Sequence, residues 1–449
     1  PAAPERGESI ETILADVDRG LAPGFTHWNQ PGFFAYFSIS ASAPGILADF
    51  LSSALNQQGM LWRTSPTTTE LEGVALDWLR RLVGLPDAFR GVIYDTASIS
   101  TLHGLAMARE VRVPAVRELG MAGRPALPAC RIYCSEHAHS SVDKAVILLG
   151  FGHSALVRVP ADADFRMRPD ALRAAIEEDR RAGREPLAVV ATVGTTSTTS
   201  VDPVPAIADV CQEQGLWLHV DAAYAGVCAM VPGWEWIFEG VDRADSVVLN
   251  PHKWLFTPFD LSAFYTRHLD TLKAAFSLVP EYLRTSDAGE VLNLMDTGVQ
   301  LGRRFRALKL WMILRYFGAE GLRARLAEHV RLARLFAGWV DDTEGWLRVA
   351  PVPFSVVCFR AVPAGVDGPE AQDAFNQRLL DEVNRTGEVF LSHTKLDGRF
   401  VLRLAVGNIR TRERHVAQAW ALLRHHAASL LQDALEDSDR ISGRRQKRV

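Results

Sequence analysis

The chain has 449 residues, 48% of them hydrophobic, with Lys+Arg 49 against Asp+Glu 53 and a formal net charge of −4. Such a length implies two or three domains with sizeable cores, and the near balance of charge excludes a broad basic field for nucleic acid and an acidic tail. No window approaches the roughly 18 apolar residues of a membrane span, and the opening PAAPERGESIE lacks the basic and apolar regions of a signal peptide, so small-molecule chemistry in the cytoplasm is the expectation.

Taken in chain order, residues 1–60 form an N-terminal segment rich in Pro, Gly and aromatics, and a start at Pro1 rather than Met suggests that a leading segment precedes it. From about residue 130, short apolar runs alternate with helical patterns. RIYCS leads to SSVDKAVILLG, ALVRVP to RPDALRAAIEEDRRAG, and PLAVVATVG to DPVPAIADVCQEQG; GLWLHVDAAYAG and ADSVVLNPHK follow. Pro169 near one helix start, and Gly150, Gly183 and Gly215 just past helix ends, supply the punctuation. Strands alternating with helices predict an α/β fold with a mainly parallel sheet covered on both faces, spanning 61–340. Within it, LGRRFRALKLWMILRYFGAEGLRARLAEHVRLARLFAGWV predicts one or two linking helices. Beyond residue 340 the strands FSVVCFRA, EVFLSH and FVLRLAV, with the helices GPEAQDAFNQRLLDEVNRTG and TRERHVAQAWALLRHHAASLL, predict a smaller α+β domain over 341–435. Residues 436–449 read as a solvated basic tail.

In a parallel sheet, ligands collect beyond the carboxyl ends of strands, where helix N-termini offer free N–H groups. Several polar groups fall just there: Thr96, Ala97 and Ser98 after GVIYD, His137 and His139 after RIYCS, Thr195 and Thr196 after PLAVVATVG, Asp221 after LWLHV, and Asn250, His252 and Lys253 after SVVL. Most lysines are solvated, but Lys253 stands between VVL and WLF. Burial there would lower its pKa and leave a neutral amine ready to condense with a carbonyl. Hydroxyls and amides suit a phosphate, and a carboxylate suits a protonated ring nitrogen. Pyridoxal 5'-phosphate needs all three kinds of group.

Other readings of these stretches are weaker. CRIYCSEHAH gathers Cys130, Cys134, His137 and His139, but two cysteines four apart on a strand stand about 13 Å apart at roughly 3.3 Å per residue, too far for one zinc ion. No metal is therefore expected. LLGFGHS lacks the third glycine and the downstream acid of a dinucleotide site. The five cysteines, Cys130, Cys134, Cys211, Cys228 and Cys358, are odd in number and sparse, unlike a disulfide framework.

The stretches THWNQPGFFAYF, SPTTTELE, AHSSVDKA, ATVGTTSTTSVD, WLHVDAAYAG, NPHKW, LGRRFRALK and FVLRLAV run in one order over nearly the whole chain. In them the protein resembles the pyridoxal-phosphate group II amino-acid decarboxylases, especially the aromatic-L-amino-acid decarboxylases. The resemblance implies an aspartate-aminotransferase-like fold (fold type I) and a homodimer with sites at the subunit boundary, to which residues 1–60 would contribute. It implies that Lys253 carries the cofactor as an aldimine, Asp221 pairs with the ring nitrogen and His139 stacks on the ring, with Ala223 leaving room at the other face. Thr96, Ala97, Ser98, Asn250 and His252 would hold the phosphate, Thr196 would orient the ring, and Asp202 would support the site from further out. Tyr282, in LVPEYLRTSDAGE, would protonate Cα after CO2 leaves. The chain departs from the family at Ser38, Ile39, Asp95 and NQQGMLW, which bear on the substrate. An aromatic L-amino acid is the first expectation. A decarboxylating aldehyde synthase, an aminotransferase or a non-catalytic binding protein are the alternatives.

Overall fold

The computed structural model describes residues 2–278 and 291–446, with side chains through residue 433. Seven strands make the large sheet: β1 (Arg90–Tyr94), β2 (Cys130–Ser135), β3 (Leu156–Val159), β4 (Glu185–Thr192), β5 (Trp217–Asp221), β6 (Ser246–Leu249) and β7 (Ser262–Thr266). Their order is β1-β7-β6-β5-β4-β2-β3. Strands β3, β2, β4, β5 and β6 pair in parallel, whereas β7 runs antiparallel to both β6 and β1. The sheet is thus mainly parallel, as the alternation predicts, and its one antiparallel member, SAFYT, carried no separate signal.

Alternate residues of the central strands serve two cores. Ala188 and Val190 of β4 join Leu105 and Met107 of the helix Ala97–Arg112. Val189 and Ala191 face the other way, toward Leu172, Ile176 and Ile207 of the helices Pro169–Arg181 and Val204–Gln214. Burial on both faces explains the near-continuous apolar runs. Pro169 opens its helix, and Gly215 closes the next at φ 64°, a left-handed value that a side chain would resist.

The second sheet is antiparallel, with β8 (Trp346–Arg348), β9 (Val356–Ala361), β10 (Ser392–Leu396) and β11 (Arg399–Ala405) in the order β10-β11-β9-β8. The strand expected over EVFLSH lies later, because Ser392–Leu396 pairs with β11 across a tight turn at Asp397 and Gly398, both of positive φ. The linking segment is helical from Ala307 to Asp341 and breaks at Gly318, where φ is 62° and ψ is 173°. Its first part supplies Leu310 and Ile313 to the large core, and its second supplies Leu332 and Phe336 to the small one. The last helix, from Glu413, continues to Gln446, into the stretch read as a tail. The N-terminal segment is tied to the small sheet's layer through a parallel bridge between Phe33 and Phe390, with Phe34 in that core.

Candidate active site

Strand β6 ends in Asn250 and a single helical turn, Pro251–Trp254, that carries Lys253. Trp254, Leu255 and Phe256 are fully buried behind it, and Phe256 holds φ 54°, a costly conformation for a bulky residue. The backbone under Lys253 is thereby fixed while its side chain lines a cavity of about 560 Å³. Lys253 Nζ lies 5.2 Å from the centroid of the Phe37 ring and makes no hydrogen bond with the described residues. Burial holds its pKa below the ordinary lysine value; the Asp221 carboxylate opposes that shift and the Arg403 guanidinium adds to it.

Asp221 ends β5 and is 6% exposed, with Oδ1 accepting from the Ala223 amide at 3.1 Å. It pairs across the sheet with Thr192, the last residue of β4. Two residues beyond, Val193 and Gly194 begin the hydroxyl-rich loop. Asp202 latches that loop from behind: buried, it accepts from the Thr192 amide at 2.8 Å and the Met167 amide at 2.7 Å. Desolvation raises its carboxyl to about 6 despite those bonds. Thr196, at the loop tip, lines the cavity.

His139 follows β2 and also lines the cavity, with Nδ1 accepting from the Ser141 amide at 3.1 Å. That bond puts the proton of the neutral ring on Nε2. The ring is open to the cavity, but desolvation by the surrounding walls lowers its pKa, against the pull of Asp221 and with the help of Lys253. Lys253, Asp221 and His139, distant in sequence, therefore share one electrostatic environment.

Beside them begins the helix Ala97–Arg112, whose N-cap Thr96 makes no side-chain capping bond. Ala97, Ala223 and Val248 form a small apolar cluster that places this helix end against the Asp221 turn. The first amides of such a helix have no acceptor within it and suit an anion. The Thr96 hydroxyl turns toward Asp95 Oδ1, at 3.1 Å, so the helix end offers backbone amides more than that side chain. His252, buried, accepts from the Leu261 amide at Nδ1, and burial takes its pKa down to about 3, leaving it neutral with its proton on Nε2. Asn250 Nδ2 lies 3.2 Å from that Nε2, and Asn250 Oδ1 is buried without a partner. The proton on Nε2 calls for the amide oxygen there, which turns the N–H2 donor to the unpartnered corner. An uncapped helix end, an orphaned amide, a carboxylate and an unbonded lysine fit the phosphate, ring and aldehyde of pyridoxal phosphate.

Of the cavity residues that were not anticipated, three bear on its chemistry. Phe37 stacks on Tyr224 with centroids 3.7 Å apart, and Arg403 of β11 lies over the Phe37 ring at 4.7 Å. Arg403 is 3% exposed; its Nε donates to the Ser197 carbonyl at 3.1 Å, its Nη1 to the Tyr36 carbonyl, and its Nη2 is buried without a partner. The signal was available, since an arginine inside the apolar run VLRLAV must be matched or functional. Ser197 is the third. Ile39 also lines the cavity, whereas Ser38 turns away to the Phe33 carbonyl. Tyr282 lies outside the described residues.

The pyridoxal-dependent decarboxylase conserved domain matches residues 1–362. The chain is 40% identical to tyrosine decarboxylase 2 of Arabidopsis thaliana over 438 residues, covering 95% of this chain and 79% of that one. It is 39% identical to phenylacetaldehyde synthase of the same plant over 441 residues, covering 96% and 88%. The crystal structure of Oryza sativa TDC with PLP and tryptamine superposes with a TM-score of 0.91 at 37% identity, covering 96% of this chain and 90% of that one. On these grounds the chain belongs to the pyridoxal-dependent decarboxylase family and is a pyridoxal-phosphate-dependent amino-acid decarboxylase.

Proposed function

We propose that the enzyme removes CO2 from an aromatic L-amino acid and releases the amine, with Lys253 as the cofactor-bearing residue. The observation that carries this reading is Lys253 itself, held at the cavity wall with no hydrogen bond to its amine among the described residues. When bound, pyridoxal phosphate supplies an electron sink for the bond to the departing carboxylate. The protein's own groups set the conditions. Asp221 would keep a proton on the ring nitrogen, and His139, Ala223 and Thr196 would hold the ring. The amides of Ala97 and Ser98, with Thr96, Asn250 and His252, hold the phosphate. Arg403 offers its free Nη2 to the substrate carboxylate, and Trp28, Tyr36 and Phe37 give the cavity an aromatic wall for the side chain. Tyr282 donates the proton to Cα.

The working unit in this reading is a homodimer. Its support is an apolar face left bare on the helix Ala43–Leu55, where Ile46, Leu47 and Phe50 are exposed, and a further one on the first helix, where Ile10, Ile13 and Leu14 are exposed. The domain division at 1–60, 61–340, 341–435 and a tail from 436 is supported by the two sheets falling within the second and third parts. Five free cysteines suit a reducing, cytoplasmic setting. Among the described residues no helix is long and apolar enough to cross a membrane.

A screen of amino acids for CO2 release by protein loaded with pyridoxal phosphate tests the substrate. Turnover confined to acidic or aliphatic substrates would overturn the aromatic reading. Product analysis tests the chemistry. Unmodified protein should yield amine, and Tyr282→Phe should shift the products toward aldehyde, ammonia and peroxide. Aldehyde from the unmodified protein would favour the activity named in the phenylacetaldehyde synthase relative.

A further inference from the structure

Arg403 is held in place by a residue of the loop that follows β4 of the other sheet. The Ser197 carbonyl that accepts from Arg403 Nε at 3.1 Å also accepts from Cys358 Sγ at 3.2 Å. The Ser197 hydroxyl lies 2.8 Å from Thr394 Oγ1. Cys358, Arg403 and Thr394 sit on β9, β11 and β10, three adjacent strands of the small sheet. One residue at the tip of the loop after β4 therefore bonds all three.

The loop behind that tip is stiffened by its own hydroxyls. Thr195 Oγ1 lies 3.0 Å from Thr198 Oγ1 and accepts from the Ser200 amide at 3.0 Å; Thr198 Oγ1 lies 2.9 Å from Ser200 Oγ, which donates to the Asp164 carbonyl at 2.6 Å. Thr199 holds φ 60°, so the turn is fixed in a conformation most residues avoid. Asp202 anchors its exit. The hydroxyl content that suggested a phosphate cradle is spent largely on the loop itself. What the loop presents to the cavity is Thr196, open, and Ser197, bonded to the small sheet.

We propose that Ser197 is a positioning residue: by joining β9, β10 and β11 to a rigid loop, it sets where Arg403 Nη2 stands relative to Thr196. The substrate carboxylate and the cofactor ring are then registered by neighbouring residues of one loop. The proposal rests on the reading of Arg403 as the carboxylate anchor. Its physical sense is that the bond to be broken must stand at a defined angle to the ring, and a displacement of about 1 Å in a positioning group costs up to about a hundredfold in rate.

The test uses cofactor-loaded protein and two ligands: a substrate analogue that keeps its carboxylate but does not decarboxylate, and the corresponding amine, which has none. Ser197→Ala and Thr394→Val each delete the hydroxyl pair and leave the Ser197 carbonyl in place. Each should weaken binding of the carboxylate ligand about fivefold, the worth of one hydrogen bond, while the affinities for the amine and for pyridoxal phosphate stay within about twofold. Thr394→Ser should restore the wild-type ratio. Arg403→Met, measured alongside, separates the two ideas. If it fails to discriminate between the ligands, the anchor reading falls. If it discriminates but Ser197→Ala and Thr394→Val bind both ligands as wild type does, Ser197 has no positioning role. Equal weakening of both ligands and the cofactor in those two variants would show general loosening and would equally overturn the proposal.

Discussion

Two lysines of this protein are surrounded by protein, and the chain treats them in opposite ways. Lys309 is 1% exposed; its Nζ donates to the carbonyls of Pro258 at 3.0 Å and Asp260 at 2.9 Å and stands 3.6 Å from Asp49 Oδ2. Lys253 has a π face 5.2 Å away and no hydrogen bond among the described residues. Burial lowers both pKa values. The carboxylates repeat the contrast. Asp179 accepts from Arg131, Tyr133 and Arg184, whereas the side chain of Asp221 is bonded through Oδ1 to a neighbouring amide. Burial of an ionisable group therefore does not by itself mark a site. Native interiors pair almost all their buried polar atoms, so the informative group is the one left for something else to complete.

The largest effect should fall on turnover at Lys253. Lys253→Ala should reduce it at least about a thousandfold, on the order of 4 kcal/mol, and borohydride reduction followed by peptide mapping should label Lys253. A label on Lys309 would break the comparison at its base. Asp221→Asn comes next: a folded protein that still takes up cofactor but turns over on the order of a hundredfold more slowly, because a neutral amide no longer stabilises the protonated ring nitrogen. Near-normal steady-state rates would remove Asp221 from the chemistry. Lys309→Met should act on stability instead. It strands one buried and one part-buried carbonyl and should cost about 2 kcal/mol, read as a lower denaturation midpoint, with turnover per folded molecule unchanged.

The contrast also separates what was legible in the sequence from what was not. The order of the parallel strands could be read because each is a short apolar run closed by a helix signal, and the polar groups past β2, β4, β5 and β6 fall on one edge by geometry alone. Hence Lys253, Asp221, His139 and Thr196 could be named as candidates from the residues, whereas their roles came from the resemblance. Strand β7 escaped because SAFYT follows the lysine turn with no helix between, and β10 was set too early because FLS is more apolar than the HTK that pairs. Arg403 and Phe37 escaped for a different reason. They reach the cavity from the small sheet and the N-terminal segment, and nothing local to VLRLAV or FFAYF tells which strand faces which loop. Saturation of a buried group is a property of the packed structure, so the fact that Lys309 is bonded and Lys253 is not emerges only once their neighbours are known.

The smallest effect sharpens the comparison most, because it reverses sign between the two lysines. Lys253 has a folded-state pKa below the ordinary value of 10.5. Below the folded pKa the amine is charged in both states, and the fold bears the whole cost of desolvating it. Between the folded pKa and 10.5 the unfolded chain binds the proton and the folded one does not, so stability rises with pH. Above 10.5 both forms are neutral and the cost is gone. Replacing Lys253 by methionine removes a charge that makes no hydrogen bond among the described residues and whose burial the Asp221 carboxylate offsets only in part, so cofactor-free Lys253→Met should melt about 1–3 °C higher than the cofactor-free parent at neutral pH. That gap should narrow as the pH climbs toward the lysine range. Lys309 is also depressed by burial, but its bonds to Pro258 and Asp260 are lost with the amine, so the same substitution there lowers the melting temperature. Equal losses at the two positions, measured by calorimetry on cofactor-free protein across pH, would mean that Lys253 has partners holding it in the fold, and the distinction between a saturated lysine and one kept free for the cofactor would fail.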